Sequence, residues 1–480
     1  MSLQAKINHL LLFALSAMAS FSLYSKEISG AACIIRFDDK MVFIQEILTN
    51  KLSIPAGGML EGETPEMTAR RETYEETGLL VKPTNELGRS QTTVFFDCLP
   101  TGKVQALKQK NRYQGHNLQT WKAPHYGVEV NLAMIADPLT IVGSEYRFPH
   151  QLQWLKKMFK RASNNRIVFV PLLSTSRSFV DDIQVSYFNK ITQHYFSFSQ
   201  TPQYTVKILS VLGKLLNSPI FILLALVWVF KKADYQSGQK LLIFTVALNI
   251  LVLLLQRWLG SPSPNIFSFN YLADTKSWFS LPSSALVNWS FLSLVVNNFL
   301  TNRRRSTLWF ALSFFLLNMS VLLLEGSVFL TDGLISILIG VVAYLGFKRW
   351  CRYKSTYLKK NTRLCLMLLA ISCFILALVW PLVSLFSLTA TLIMLIVISF
   401  FVPARVYGKC LNSSFYITLC AVMFVDFLLT VIFHFFVSRG EAIVALDIIR
   451  YPVAVLLLYR QFMFEDKEEK GNKTSDEAIL

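Results

Sequence analysis

Three glutamates, Glu72, Glu75 and Glu76, have the residue type and spacing that point most directly to chemistry. On a helix, positions i, i+3 and i+4 share one face, so the three carboxylates would lie together. Like charges placed in this way destabilise a helix. A hard divalent cation, Mg²⁺ or Mn²⁺, explains the arrangement, because such ions prefer carboxylate oxygens and substrate phosphates. We therefore predict a metal site on this helix.

Glycines on both sides of these glutamates predict the elements that would position them. Gly57 and Gly58 begin a turn, GGMLEGET, and a helix-like stretch follows around residues 70–76. Glycine lets the backbone approach the carboxylates closely, and Gly78 suits the left-handed end of a helix. We therefore expect a glycine-containing loop, a short helix and a closing glycine.

Residues 57–79 resemble the Nudix box. The box is a glycine, five residues, Glu, seven residues, Arg-Glu, an apolar residue, any residue, Glu-Glu, any residue, Gly and an apolar residue. The spacing fits throughout, and the one departure is Thr73, where the family usually has an aliphatic residue. This departure changes packing and not the proposed ligands. The resemblance implies that residues 26–203 form a Nudix hydrolase domain with an α/β fold, an α/β/α sandwich.

The resemblance also implies a role for each box residue. The candidate catalytic residues are Arg71, Glu72, Glu75 and Glu76, the candidate metal ligands are Gly57, Glu72, Glu75 and Glu76, and the candidate structural residues are Gly58, Glu63 and Gly78. Arg71 and Glu63 would brace the helix and the loop. In the family, a water polarised by metal attacks a diphosphate phosphorus with a glutamate as base. Glu72 is the first choice for that base, and Glu129 and Glu145 are candidate further ligands from a later loop.

Composition points to a membrane protein. Of the 480 residues, 53% are hydrophobic and 16% are charged, whereas soluble domains have about a quarter charged residues. The formal net charge of +17 would suggest a nucleic-acid partner if the basic residues formed one soluble face. Many of them lie instead in short loops between apolar runs. We interpret them as topology signals and expect no nucleic-acid partner.

The order of polar and apolar segments predicts five parts. Residues 1–25 contain a short apolar stretch and an Ala17-Met18-Ala19 sequence that fits signal-peptide cleavage, and an uncleaved anchor through Phe21 and Leu23 is the alternative. Residues 26–203 are mixed and polar, with the strand-like runs AACIIRF, KMVFIQEI, EVNLAMIA and RIVFVPLL. Residues 204–347 and 348–463 are predicted transmembrane regions, and residues 464–480 are a charged tail predicted to be disordered.

About nine apolar segments are long enough to span a bilayer, which takes about 17 to 25 residues. They lie near 208–230, 241–260, 283–300, 306–324, 328–347, 364–385, 386–402, 415–437 and 442–458. Lys and Arg collect on alternate loops, including 303–305 and 348–363, and the positive-inside rule places such loops in the cytoplasm. The sequence therefore predicts a polytopic all-α transmembrane bundle in a bacterial inner membrane. Its N-terminal domain would lie in the periplasm and its C-terminal tail in the cytoplasm.

Residues 204–347 resemble a type-2 phosphatidic acid phosphatase whose motifs are eroded. Gln256 and Ser263-Pro264 stand for its Lys…Arg-Pro stretch, Pro282-Ser283-Ser284-Ala285 for Pro-Ser-Gly-His, and Leu322, Val328 and Asp332 for Ser-Arg…His…Asp. Val328 would replace the nucleophilic His, and Ala285 the acid His. Without either imidazole, phosphohistidine chemistry has no nucleophile. We therefore expect the fold without the activity, with Ser283 and Asp332 as candidate residues.

Ionisable residues also occur in the last predicted spans, namely Asp426, His434, Asp447 and Arg450. Such groups are costly inside a bilayer and are often functional. Asp447 and Arg450 are also i and i+3 on one helix, so a structural ion pair explains them equally well. Placement near the periplasmic interface accounts for His434.

The seven cysteines show no paired spacing that indicates a zinc site. Cys33 and Cys98 are the two in the polar N-terminal part, where an oxidising compartment would permit a bond between them. Two free thiols are the preferred interpretation.

We interpret the chain as a membrane-bound Nudix hydrolase that uses Mg²⁺ to cleave a diphosphate bond in a periplasmic or lipid-linked substrate. Candidate substrates are a polyprenyl diphosphate, a diphosphate-bearing lipid A and a nucleotide-sugar, and membrane lipids are the other expected partners. One alternative is a lipid-binding or transport protein whose Nudix domain senses ligand, with Asp426, Asp447 and Arg450 as its residues. A second is a two-step hydrolase that also uses the bundle, and the lost histidines argue against it. The oligomeric state is left open.

Overall fold

The protein is described here from a computed structural model. It describes residues 28–111, 113–171, 173, 183–187, 190, 217, 223–224, 226, 235–266, 279–299, 305–324, 326–352, 356–380, 383–401, 413–436, 445–446 and 448–456. The predicted signal peptide, most of the predicted span at 208–230, and the predicted cytoplasmic tail lie outside these residues.

Among the described residues up to Val170, the N-terminal domain contains eleven strands and two α-helices. In chain order they are β1 (Gly30–Ile34), β2 (Arg36–Phe37), β3 (Lys40–Glu46), β4 (Leu52–Ser53), β5 (Ala56–Gly58), α1 (Pro65–Thr77), β6 (Val81–Arg89), β7 (Thr93–Pro100), β8 (Val104–Lys110), β9 (His116–Leu118), β10 (Val130–Ala136), α2 (Leu152–Arg161) and β11 (Ile167–Val170). The strands predicted from AACIIRF, KMVFIQEI, EVNLAMIA and RIVFVPLL, and the helix around 70–76, are all confirmed.

The strands form two sheets. The first has the order β5-β1-β7-β6, and the second has the order β11-β8-β9-β10-β3-β2 with β4 paired to β3. The pairs β1–β7 and β8–β11 are parallel, and the other pairs are antiparallel. The domain therefore has the mixed-sheet architecture expected of a Nudix fold.

Strand β1 is buried on both faces, because a helix covers each side. Its sequence, GAACI, has no exposed position. Ala31 and Cys33 point into a core that includes Ala69 of α1. Ala32 and Ile34 point into a second core lined by apolar residues of α2. Since successive side chains of a strand alternate between faces, this one strand connects the two cores, and α1 is seated directly on the first.

A disulfide joins Cys33 of β1 to Cys98 of β7, with 5.5 Å between the two Cα atoms. The preferred prediction of two free thiols was therefore wrong. Sequence spacing could not show that β1 and β7 are neighbours, because 65 residues separate the two cysteines. Both sulfurs are fully buried beneath α1, so the cross-link secures the floor under the helix with the three glutamates.

The rest of the described chain is helical. It contains α3 (Tyr235–Leu259), a hairpin of β12 (Ser261–Pro262) and β13 (Phe279–Leu281), α4 (Ser284–Phe299), α5 (Arg305–Leu324), α6 (Leu330–Arg352), α7 (Thr356–Val379), α8 (Val383–Phe401) and α9 (Ser413–Phe436). A core of Leu, Val and Phe side chains joins α3, α4 and α6. These helices coincide with the apolar segments predicted as spans.

Two of these helical segments, Ser237–Leu259 and Leu330–Arg352, are long and apolar enough to cross a membrane within the part of the chain that the structure describes. Shorter apolar segments occupy Leu364–Val379, Leu385–Val397 and Cys420–Leu429. Seven of the predicted spans coincide with helices α3 to α9 in the described residues, whereas most of the predicted span at 208–230 lies outside them. Membrane crossing by the whole set stays a prediction.

Candidate active site

Helix α1 ends at Gly78, as the sequence predicted, and begins at Pro65, before the helix-like stretch around residues 70–76. Thr64 caps its first turn, with its Oγ1 accepting a hydrogen bond from the Met67 amide at 3.3 Å, and Pro65 occupies the first helical position. Gly78 ends the helix with a φ of 73°, and its amide donates to the Tyr74 carbonyl at 2.8 Å. This positive φ favours glycine. The caps therefore fix the length and direction of the helix that carries the glutamates.

The buried face of α1 is polar, which is unusual for a helix seated on a hydrophobic sheet. It consists of Thr68, Ala69, Glu72, Thr73, Glu76 and Thr77. Thr73, the departure from the family pattern, is completely buried, and its hydroxyl donates to the Ala69 carbonyl at 2.7 Å. The hydroxyl is therefore satisfied within its own helix, which explains why threonine is accommodated at an aliphatic position.

Arg71 is the centre of the hydrogen-bond network. Its Nε and Nη2 donate to the two carboxylate oxygens of Glu63 at 2.7 and 2.9 Å. Its Nη1 donates to Glu72 at 2.7 Å and to Glu75 at 2.8 Å, and Nη2 also donates to the Gly58 carbonyl at 2.8 Å. One planar guanidinium thus connects the loop to the helix, as the resemblance predicted. It also binds two of the predicted metal ligands directly.

The charges of this pair are strongly stabilised. The Arg71 guanidinium holds the pKa of the Glu63 carboxyl down to about 2, with further help from the Leu60 amide and the Thr68 hydroxyl. In turn, the hydrogen bonds to Glu63 raise the pKa of Arg71 above its usual value. Both groups remain ionised over the physiological range. The Glu63–Arg71 pair therefore acts as a fixed brace.

Gly57 is required by the close approach of Glu72. A Cβ built at Gly57 would lie 2.1 Å from the carboxyl carbon of Glu72, a distance that real atoms cannot adopt. Burial raises the pKa of Glu72, although Arg71 acts in the opposite direction. The main chain of β5 and the Glu72 carboxylate therefore face each other with no room for a side chain, as predicted for this glycine.

Glu76 is the most deeply buried of the three glutamates. Its Oε2 accepts a hydrogen bond from the Ala56 amide at 3.0 Å. Burial raises its pKa well above the usual value, and the charges of Glu72, Glu129 and Glu46 raise it further. Four carboxylates from three parts of the fold, namely α1, β3 and the loop before β10, therefore act on one another in this region.

His125 is a part of the site that sequence reasoning missed. Its backbone amide donates to the Glu75 carbonyl at 2.8 Å, and its Nε2 lies 4.0 Å from the Glu75 carboxylate. Its Nδ1 is hydrogen-bonded to the Glu129 carboxylate at 2.9 Å. That bond raises the pKa of His125 and lowers the pKa of Glu129. The available clue was the four-residue spacing between His125 and Glu129.

The two glutamates predicted as further ligands have different surroundings. Glu129 reaches the site through His125, and its charge acts on both Glu72 and Glu76. Glu145 is exposed, and its recorded contacts are made by its backbone, whose carbonyl accepts a hydrogen bond from the Leu52 amide. The structure therefore favours Glu129 over Glu145 as a member of the site.

No group of three His, Cys, Asp or Glu side chains in the described residues converges as a metal site requires. The reason lies in the position of Arg71, which hydrogen-bonds the oxygens of Glu72 and Glu75. The assignment of Glu72, Glu75 and Glu76 as metal ligands stays a prediction.

The three eroded phosphatase-like stretches meet at one end of the helical region. Gln256 donates to the Pro282 carbonyl at 2.7 Å, and the Ser283 amide donates to the Ser336 hydroxyl at 2.8 Å. Asp332 is buried and accepts hydrogen bonds from the hydroxyls of Ser261 and Ser280. We name Ser261, Ser280 and Asp332 the apical serine cluster. It is held by neutral hydroxyl groups, and the resemblance of this region to phosphatases stays a prediction.

The described ionisable residues of the last helices include an ion pair that the sequence did not predict. Arg450 forms an ion pair with Asp426 of α9, with 3.4 Å between Nη1 and Oδ1. The predicted partner Asp447 lies outside the described residues, as does the side chain of His434. Arg450 therefore links two helical segments through this ion pair.

Comparison with known families matches the NUDIX domain at residues 27–122. No curated protein gives a significant match to the chain. Among solved structures, an ADP-ribose pyrophosphatase from Streptococcus suis 89-1591 is 14% identical, covers 30% of this chain and 97% of its own, and has a TM-score of 0.22. A NUDIX hydrolase from Nitrosomonas europaea is 19% identical, covers 28% and 92%, and has a TM-score of 0.23. A UDP-X diphosphatase is 14% identical, covers 32% and 73%, and has a TM-score of 0.22. The family match coincides with the box described above, and the chain therefore contains a NUDIX domain at residues 27–122.

Proposed function

We propose that the chain is a membrane-anchored hydrolase that cleaves a diphosphate bond at the outer face of a bacterial inner membrane. The observation that carries this proposal is the glutamate face of α1, held by Arg71 and facing Gly57 inside a NUDIX domain. Buried carboxylates gathered in this way are unfavourable unless a cation balances them. Hydrolysis of a diphosphate assigns a use to every predicted box residue.

The donor set fits a hard divalent cation. All the acidic groups are carboxylates, which Mg²⁺ and Mn²⁺ prefer as ligands. Gly57 packs closely against Glu72, so the backbone of β5 lies beside these carboxylates. Glu72, Glu75 and Glu76 would hold the ion, with the Gly57 carbonyl. Bound there, the ion would polarise a water and neutralise charge on the diphosphate.

The chain's own groups position the remaining chemistry. Glu63 and Arg71 lock the loop of Gly58 to α1, so the carboxylates keep their relative positions. Glu72, whose pKa is raised by burial, is the group that would accept the proton of the attacking water. His125 and Glu129 form a second proton-holding pair beside Glu75. A base and a neighbouring acid–base pair are what water attack on a phosphorus requires.

Two observations support a location outside the cytoplasm. The buried Cys33–Cys98 disulfide belongs to an oxidising compartment, since cytosolic proteins seldom keep such bonds. The basic ends of the two candidate spans also lie together, where Lys240 Nζ reaches the Cys351 carbonyl at 3.5 Å beside Arg352. The opposite ends of the same helices contact the N-terminal part of the chain, where Arg257 donates to the Tyr126 carbonyl and Gln184 donates to the Thr331 hydroxyl. The positive-inside rule then assigns the domain to the periplasm.

A lipid-binding or transport function is the second candidate. It is favoured by the buried Asp426–Arg450 pair, because ionisable groups in membrane helices often mark a pathway. Neutralising this pair as Asp426→Asn would abolish such a function and leave diphosphate hydrolysis unchanged.

The test is phosphate chemistry by the full-length protein purified in detergent. Lipid and soluble diphosphates, including a polyprenyl diphosphate, ADP-ribose and a UDP-sugar, are incubated with Mg²⁺ and assayed for monophosphate products. We expect hydrolysis that falls at least a hundredfold in Glu75→Gln, because a ligand and its charge are lost, and that persists in the matched surface variant Glu86→Gln. Equal inactivity of the parent and Glu75→Gln on every substrate would overturn the proposal in favour of the transport candidate.

A further inference from the structure

We infer that the substrate is a diphosphate carried on a membrane lipid, and that Arg257 positions the NUDIX site at the membrane surface to receive it. This inference rests on the proposed function. It is carried by the loop of residues 123–130, which touches the catalytic helix on one side and the outer end of α3 on the other.

The contact between this loop and α3 is made by a charged group with two acceptors. Arg257 lies near the end of α3, and its guanidinium donates to the carbonyls of Pro124 and Tyr126, the latter at 3.1 Å. These carbonyls flank His125 in the chain. A single planar group therefore holds the backbone on both sides of His125, a geometry that suits arginine and that lysine cannot reproduce.

An apolar contact supports the same junction. Tyr126 is buried against Phe279 of β13, with ring centroids 5.6 Å apart and the rings nearly perpendicular. The Tyr126 hydroxyl is hydrogen-bonded to Ser263, and Ala123, Ile266 and Phe329 complete the cluster. The loop is thus docked by both polar and apolar groups on the end of α3, on residues 263–266 and on β13.

The other side of the loop joins the catalytic helix. The amide of His125 donates to the Glu75 carbonyl at 2.8 Å, and its ring lies 4.0 Å from the Glu75 carboxylate. His125 thus lies between the carbonyls of Pro124 and Tyr126, which Arg257 of α3 binds, and the predicted metal ligand Glu75. A displacement of the loop at Arg257 would be passed to Glu75 through His125.

The side chains beside this junction indicate its depth in the membrane. Trp258 follows Arg257 and is 81% exposed at the end of a segment long and apolar enough to span a membrane. Exposed Trp at a span end is typical of the membrane–water interface, and an arginine beside it belongs at the level of the lipid headgroups. The loop of residues 123–130 therefore lies at that level. The diphosphate of a membrane lipid lies at the same depth, whereas a soluble nucleotide requires no such placement.

The experiment compares two substrates with the same headgroup on the full-length protein in lipid nanodiscs with Mg²⁺. One is a long-chain polyprenyl diphosphate in the bilayer, and the other is geranyl diphosphate in solution. Both are measured on each preparation of the parent, Arg257→Gln and the exposed control Arg89→Gln, whose residue pairs with Glu86 away from the loop. Because misfolded protein lowers both rates equally, the ratio of the two kcat/KM values reports positioning and not folding.

We expect the parent and Arg89→Gln to prefer the lipid substrate by about tenfold or more, and Arg257→Gln to lower that ratio about tenfold. A parent that cleaves geranyl diphosphate equally well, or an unchanged ratio in Arg257→Gln, overturns the inference while the hydrolase function stands. Failure to cleave either substrate also overturns this inference. The proposed function falls with it only if the parent is equally inactive on ADP-ribose and the UDP-sugar, or if cleavage persists in Glu75→Gln.

Discussion

The glutamate face of α1 and the apical serine cluster both bury carboxylates, yet they satisfy them in different ways. On α1, Glu72 and Glu75 both accept hydrogen bonds from the guanidinium of Arg71. The Glu76 carboxylate accepts one from a backbone amide. In the cluster, Asp332 accepts from the hydroxyls of Ser261 and Ser280. The first arrangement gathers several negative charges that a second cation would relieve. The second holds one carboxyl with neutral donors, which is sufficient for packing. The number of carboxylates gathered together, and not their burial alone, therefore distinguishes the candidate catalytic site.

The sharpest way to break this comparison is to neutralise one acid in each region. We expect Glu72→Gln to lower kcat about a thousandfold, because it removes both a predicted ligand and the preferred base. Asp332→Asn keeps the hydrogen bonds to serine and should change the rate less than about twofold. The measurement is diphosphate hydrolysis by the two purified variants side by side. A larger loss in Asp332→Asn would show that chemistry resides in the helical region.

The second test concerns the disulfide. Replacing Cys33 and Cys98 together by alanine removes a cross-link that closes a loop of 65 residues, which should destabilise the domain by about 2 to 4 kcal/mol. Thermal unfolding followed with and without reductant measures the effect, since reductant should lower the Tm of the parent and not that of the double variant. Cys365→Ser, at a free cysteine of the helical region, is the matched control. Insensitivity of the parent to reductant would contradict the cross-link.

The third test concerns the space between Gly57 and Glu72. Gly57→Ala places a methyl group where Glu72 now lies, so we expect a loss of about a hundredfold in kcat/KM from the displaced carboxylate. Gly102→Ala is the matched control, because a Cβ at that position meets nothing within 4 Å. Restoration of the Gly57→Ala rate by raised Mg²⁺ would separate weakened metal binding from lost base function. Full activity in Gly57→Ala would remove this glycine from the site.

The fourth and smallest effect concerns Glu76 and pH. Because burial raises its pKa in the folded state, the folded protein binds the proton more tightly than the unfolded chain. The associated stability is present at acid pH and is lost as pH rises through the folded-state pKa. Glu76→Gln should therefore raise the free energy of unfolding of chelator-treated protein at pH 7 by about 1 to 3 kcal/mol. The gain should shrink towards pH 4 in denaturant titrations, and a constant difference across pH would show that ionisation is not its cause.

Much of the NUDIX domain could be predicted from local sequence. The box predicted helix α1 with its closing glycine, the glycine that faces Glu72 and the Glu63–Arg71 brace. All of these depend on residues within one short segment. The strands followed from apolar runs bounded by polar residues. The helical segments also followed from apolar length alone.

What could not be predicted depends on contacts between distant segments. The Cys33–Cys98 bond requires knowledge that β1 and β7 are neighbours, and no local pattern supplies it. His125 approaches Glu75 only after the chain has formed several strands and returned past α1. From the sequence, Arg257 is simply a basic residue at the end of a predicted span. Its partners are backbone carbonyl groups, which cannot be identified from residue types. The Arg450–Asp426 pair likewise joins segments that are distant in the chain, and the predicted partner Asp447 lies outside the described residues.

The network around Arg71 has a consequence for how such a protein matures. Its five hydrogen bonds supply positive charge to three carboxylates and a loop carbonyl. The acidic helix therefore has an internal counterion from the moment the chain folds. We therefore expect the helix to assemble without divalent ions, and a chelator to abolish hydrolysis without unfolding the domain.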